Sequence, residues 1–119
     1  MSVVSRKYFG DEKFLKVYYK LIRTAQKRRT ISYKDVAEII GLPIRGDHMA
    51  REAGQILGEI SEWEHNEGRP LLSAVVIRED IGIPGEGFFK LARQLGKLQG
   101  QNEQDFWENE LHDIYDTWS

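Results

Sequence analysis

The chain has 119 residues, an apolar share of 40% and thirteen aromatic side chains counted as three Trp, five Tyr and five Phe. These are globular values that predict a single domain over residues 1–119. Cysteine is absent, which excludes disulfides, thiolate metal ligands and thiol nucleophiles together. There is no apolar targeting segment behind Met1–Ser5, and no apolar run approaches the roughly 20 residues that span a bilayer. The expectation is a cytoplasmic protein with no membrane contact.

The net charge of −2 conceals a division: residues 1–51 carry twelve Lys/Arg against five Asp/Glu, residues 52–119 five against fourteen. Such polarity points to a basic face for a polyanion and an acidic face for something else. It equally fits two halves that attract each other, within the fold or between subunits.

Residues 11–28 read as a helix whose core face is Phe14, Val17, Tyr18, Leu21, Ile22 and Ala25. Lys13, Lys16, Lys20, Arg23 and Lys27 fall in another sector, about 80° wide. That stripe either tracks a phosphate backbone or is a solvated face. The run Lys27–Thr30 ends the helix, and Ser32-x-x-Asp35 forms a capping box for a second, short helix that Gly41 and Pro43 close. Asp47 is the expected N-cap of a third helix running to about residue 66, with Met49, Ala53, Ile56, Leu57, Ile60 and Trp63 apolar.

Residues 70–78, short, apolar and β-branched, predict a buried strand. Three Gly and one Pro within residues 79–87 suit a hairpin tip or wing. A fourth helix is expected over residues 88–95, and a last one over about 103–117.

Three helices, a strand and a Gly-rich turn are the order of a winged helix, whose third helix enters the major groove. Within that order Thr30-Ile31-Ser32-Tyr33-Lys34-Asp35-Val36-Ala37, Gly41-Leu42-Pro43 and Ala50-Arg51-Glu52-Ala53-Gly54 stand in sequence. Residues 30–78 thereby resemble the DNA-binding half of alkylguanine-DNA alkyltransferases. The resemblance implies that Tyr33 lies against a backbone phosphate and that Arg51 enters the base stack. Their alternatives are a core-edge Tyr and a surface Arg paired with Glu52 or Glu59. The family's Pro-Cys-His-Arg motif is replaced by Leu71-Leu72-Ser73-Ala74, so no alkyl transfer is expected. The His-Arg pair kept by the non-reacting alkyltransferase-like proteins is missing too.

Other chemistry is sparse. Glu62-x-x-His65 matches half of a carboxylate di-iron site, but Asn109-x-x-His112 cannot supply the second half. Pro84-Gly85-Glu86-Gly87 reads as a turn rather than an anion cradle, since Glu86 repels phosphate and no Lys or Ser/Thr follows in place. Ser73 reads as core.

The prediction is therefore an α+β fold, a helix-rich winged helix-turn-helix with a small β element and C-terminal helices. It is expected to bind double-stranded DNA through Tyr33, Lys34, Arg45, His48 and Arg51, without catalysis, metal or cofactor. Against this stands the acidity of the third helix, which sets Arg51 against Glu52, Glu59, Glu62, Glu64 and Glu67. The alternative is a small protein-interaction module that docks a partner through Trp107, Tyr115 and Trp118 in the acidic, aromatic C-terminal half.

Overall fold

A computed structural model describes residues 2–43 and 46–119. Arg45 lies outside them. Five α-helices and a two-stranded parallel sheet make up the described residues. No helix among them is long and apolar enough to cross a membrane.

The first helix, α1 (Glu12–Gln26), starts where the Asp11 carboxylate accepts from the Lys13 amide at 2.7 Å, as an N-cap should. Phe14, Val17, Leu21 and Ala25 are buried, with Tyr18 and Ile22 packed at the edge. Strand β1 (Ile31–Ser32) leads directly into α2 (Tyr33–Ile39). The capping box expected there is complete: Ser32 Oγ accepts from Asp35 N at 3.2 Å, and Asp35 Oδ2 accepts from Ser32 N at 3.0 Å.

Helix α3 (Gly46–Asn66) begins at Gly46, not after Asp47. Asp47 therefore sits in the first turn, where its charge meets the unpaired N–H groups without being the cap. Helices α4 (Glu86–Gln94) and α5 (Glu103–Trp118) complete the set. The Asn102 side chain caps α5 by accepting from Gln104 N and Asp105 N.

Helices α1 to α4 end alike. In each, the residue after the cap has positive φ and its successor donates back to a carbonyl five residues upstream, as Arg69 N does to Glu64 O at 2.9 Å. Gly41, Gly68 and Gly96 take the left-handed position in α2, α3 and α4. In α1 it falls to Arg28, at φ 54°, where a Cβ costs energy that glycine does not.

The segment expected to be a strand over residues 70–78 is different. Residues Leu72–Val75 form a 3-10 turn, and only Val76–Ile77 is a strand, β2. Leu71 to Val76 are all buried, and full burial erases the alternation that separates a strand from other buried backbone. Side chains take the place of a ladder. Glu110 accepts from Leu71 N at 2.7 Å, Ser61 Oγ from Ser73 N at 3.0 Å, and the Trp107 indole donates to Ala74 O at 2.9 Å. Buried backbone groups need partners, and α3 and α5 supply them.

Strand β2 pairs in parallel with β1, with Ile31 opposite Val76 and Ser32 opposite Ile77. A parallel pair needs a long crossover, and here α2 and α3 provide it. The expected hairpin gives way to a tight turn over residues 78–83, closed by Gly82 N to Arg78 O at 2.7 Å and Arg78 N to Ile83 O at 2.9 Å. That turn passes straight into α4, which starts two residues ahead of the expected Phe88. Helices α1, α3 and α5 converge on the 3-10 turn at the centre of the core.

Candidate functional site

The acidity of α3 is turned inward. Glu59, Glu62 and Glu64 are all buried, and each accepts several hydrogen bonds, without which burying a carboxylate is very costly. Glu59 accepts from Phe9 N at 2.8 Å, Tyr8 N at 3.0 Å and the Gln55 side chain at 2.9 Å. Glu62 accepts from Val3 N at 2.6 Å, and also from Val4 N and the Ser2 hydroxyl. Glu64 receives a two-pronged Arg69 guanidinium at 2.8 and 3.0 Å and the Tyr18 hydroxyl. The Arg69 guanidinium is held charged above its ordinary range by its hydrogen bonds to Glu64.

Half-buried Glu52 accepts from Lys7 and from the Tyr8 hydroxyl. Those two hydrogen bonds, Lys7 first, hold its carboxyl below the usual range, and His48 adds a smaller pull. Residues 2–9 are thus an N-terminal arm fastened along α3 by its carboxylates. What α3 presents outward over its first half is Asp47, His48, Ala50, Arg51 and Gly54.

Ala50, Arg51 and Gly54 of that face form one wall of a groove of about 890 Å³. The start of α2, the turn after β2 and α4 form the others. Met49, Leu57, Ile77, Phe88 and Leu91 contribute apolar lining. Gly54 faces open space, since a Cβ there would meet nothing within 4 Å. Val4 of the arm closes one end, lying 3.7 Å from where a Gly58 Cβ would be.

Three cations on the groove, Lys34, Arg51 and Lys90, have no ion-pair partner among the described residues. Arg78 is instead held by Asp80 through two contacts at 2.7 and 3.1 Å. Tyr33 stands between α2 and α4, its phenolic oxygen accepting from Gly85 N at 2.9 Å. Burial pushes its phenol up, with the Gly85 amide and Arg78 pulling the other way.

Of the residues singled out in the sequence, Tyr33, Lys34 and Arg51 come together on this groove. His48 is exposed on α3 outside the groove lining. The groove adds Lys90, which sequence reasoning missed, and Met49 and Gly54, which it placed on the third helix without assigning them to a site. Met49 had a usable signal: it extends the apolar stripe of α3 beyond the last side chain the core needs. Lys90 had none, because its relation to Arg51 exists only in three dimensions.

The C-terminal aromatics face the domain. Trp107 is buried, the Tyr115 hydroxyl donates to Arg29 O at 2.9 Å, and Arg69 lies 5.9 Å above the Trp118 ring. Burial raises the Tyr115 phenol, opposed by Arg28. Ser73 edges the groove, but its hydroxyl is engaged with Ser61 at 2.6 Å. Among the described residues no three His, Asp or Glu side chains gather as metal ligands. Comparison with family models, curated proteins and solved structures found no match to the chain.

Proposed function

We propose that the groove face, with the first turns of α2 and α3, binds double-stranded DNA without catalysing a reaction on it. The fold is read as a variant winged helix in which the turn over residues 78–83 stands where a hairpin wing would be. The observation that carries the reading is the separation of charge on α3. Its three deepest carboxylates are spent inside the domain, while Arg51 remains outward beside Lys34 and Lys90. The objection that an acidic helix repels phosphate is weakened, because Glu64 and Glu52 are paired with Arg69 and Lys7, and Glu59 and Glu62 face the arm rather than the groove, whose own carboxylates are Glu79, Asp80 and Glu86.

The absence of catalysis is supported by what stands where the alkyltransferase motif falls. Leu72 is fully buried and unreactive, and Ser73 shares its hydroxyl with Ser61 rather than with a base. The test is fluorescence anisotropy of a labelled duplex over a salt series. Few phosphate contacts imply micromolar affinity that vanishes by about 0.3 M salt. No binding at about 50 mM salt and tens of micromolar protein would sink the proposal.

Docking of a protein through Trp107, Tyr115 and Trp118 has less support, since the Trp107 indole and the Tyr115 hydroxyl are hydrogen bonded within the domain and Arg69 lies over the Trp118 ring. The carboxylates on the outer side of α5 are what a partner would meet.

A further inference from the structure

Helices α1 and α5 pack side by side and carry opposite charge. From Lys13 to Lys27 there are five Lys/Arg and no Asp/Glu, and within α5 there are six Asp/Glu and no Lys/Arg. The five cations Lys13, Lys16, Lys20, Arg23 and Lys27 are all exposed. On α5, Asp105, Glu108, Asp113 and Asp116 are exposed.

Although the two helices are neighbours, they hardly neutralise each other. Between them the described ion pairs include only Arg28–Asp116, at 3.3 Å, which joins the residue just past α1 to the end of α5. Lys16 pairs locally with Glu12, Arg93 takes Glu103, and Lys97 takes Glu110. Lys13, Lys20, Arg23 and Lys27 have no ion-pair partner among the described residues, and neither do Asp105, Glu108 and Asp113. Two complementary stripes are thus exposed on neighbouring helices.

Beside the cations, α1 exposes Leu15 at 59% and Tyr19 at 63%, one turn apart. They are the large apolar side chains most open to solvent on any described helix. No residue of α1 or α5 lines the groove, so this surface is separate from the proposed DNA face.

We propose that the α1–α5 face is a homodimer interface, and that its occupant is a second copy of this chain. A two-fold interface must be self-complementary. A two-fold axis between the helices lays α1 of one copy on α5 of the other, and α5 on α1, satisfying both stripes at once. The helices have 15 and 16 residues, so each contact runs about 23 Å. Leu15 and Tyr19 supply the apolar contact that bare ion pairs lack, since exposed pairs alone contribute little.

Sedimentation velocity of the full chain, repeated over protein and salt concentration, tests this. Dimer is expected at about 0.1 mM protein in 50 mM salt, shifting to monomer by about 0.5 M salt as screening shortens the reach of the charges. One variant reverses α1 (Lys16→Glu, Lys20→Glu, Arg23→Glu) and another reverses α5 (Asp105→Lys, Glu108→Lys, Asp113→Lys). Circular dichroism checks that each is folded. Each variant alone is expected to be monomeric, because its two stripes now share a sign. An equimolar mixture is expected to restore the dimer, because the α1 of each then meets an oppositely charged α5.

A monomeric wild type under all conditions overturns the proposal, as does a dimer that survives either reversal. A mixture that stays monomeric, or species larger than a dimer, overturns the reciprocal two-fold arrangement. If the wild type is monomeric and reversal of α1 weakens duplex binding, the stripe serves nucleic acid instead.

Discussion

The phenolic oxygen of Tyr33 lies 2.9 Å from the Gly85 amide nitrogen and accepts a hydrogen bond from its N–H, joining the first residue of α2 to the cap of α4. The contact is close on both sides, since a Cβ at Gly85 would come within 3.3 Å of that oxygen. Tyr33→Phe leaves the amide without its partner and is expected to cost about 1 kcal/mol, read from the urea midpoint. Duplex affinity should change less than for Arg51→Ala, because the hydroxyl is already engaged within the domain.

The cations of the groove separate by role. Arg51→Ala is expected to lose about 1–3 kcal/mol of duplex affinity if its side chain reads a base or enters the stack. Lys34→Ala should weaken all duplexes alike and flatten the plot of log affinity against log salt by about 0.9. Lys90→Ala should follow Lys34. Anisotropy titrations at four salt concentrations distinguish the two patterns.

Arg28 holds a position that glycine fills in three other helices. Its φ of 54° carries a Cβ penalty of about 1 kcal/mol. What it gains in return is an exposed pair with Asp116 at 3.3 Å and a place 5.9 Å over the Tyr115 ring, interactions that are individually weak. Arg28→Gly is expected to leave the thermal midpoint unchanged or raise it slightly, whereas Gly68→Ala should lower it. Differential scanning calorimetry on both variants provides the comparison.

The arm's contact with Glu52 is sensitive to pH from both sides. Burial, and then the hydrogen bond to Glu52, push the Tyr8 phenol up from 10.0 to about 12. A raised pKa means its contribution is complete below the ordinary value and fades as pH climbs through about 12. The Glu52 carboxyl is lowered, so its contribution is complete above the ordinary carboxylate range and fades as pH falls through its folded value. Tyrosinate absorbance of wild type against Tyr8→Phe should differ by one phenol titrating near 12. Titration of that phenol at its ordinary value would show that the arm is not docked.

The helices were legible because each pairs a periodic apolar face with its own punctuation. Ser32-x-x-Asp35, Gly41, Gly68 and Gly96 all act where their chemistry predicts. Residues 70–78 were misread because an entirely apolar run has no period, and the groups that settle its conformation are Ser61, Trp107 and Glu110, on helices elsewhere in the chain. The wing was misread for a related reason. Glycine and proline signal a reversal, and Gly82 makes one, but nothing in the turn itself says whether an antiparallel strand waits beyond it.

At the candidate site Tyr33, Lys34 and Arg51 were found through a motif. The inward turn of Glu59, Glu62 and Glu64 was hidden, since three closely spaced Glu ordinarily mark a solvated face. Only the partners reveal it, and these are largely amides of the arm.

Val3, Tyr8 and Phe9 each meet α3 through the main-chain N–H, which every amino acid but proline possesses. A side-chain exchange at Val3 or Phe9 leaves those donors in place, although Phe9 also packs its ring on Phe14 and Trp63, while proline at any of the three sites removes a donor. The course of the arm is encoded by glutamates that lie 59 residues beyond Val3 and 50 beyond Phe9. Glu59 and Glu62 thus fix the main chain of the arm, while Lys7, Tyr8 and Phe9 add side-chain contacts to Glu52, Phe14 and Trp63.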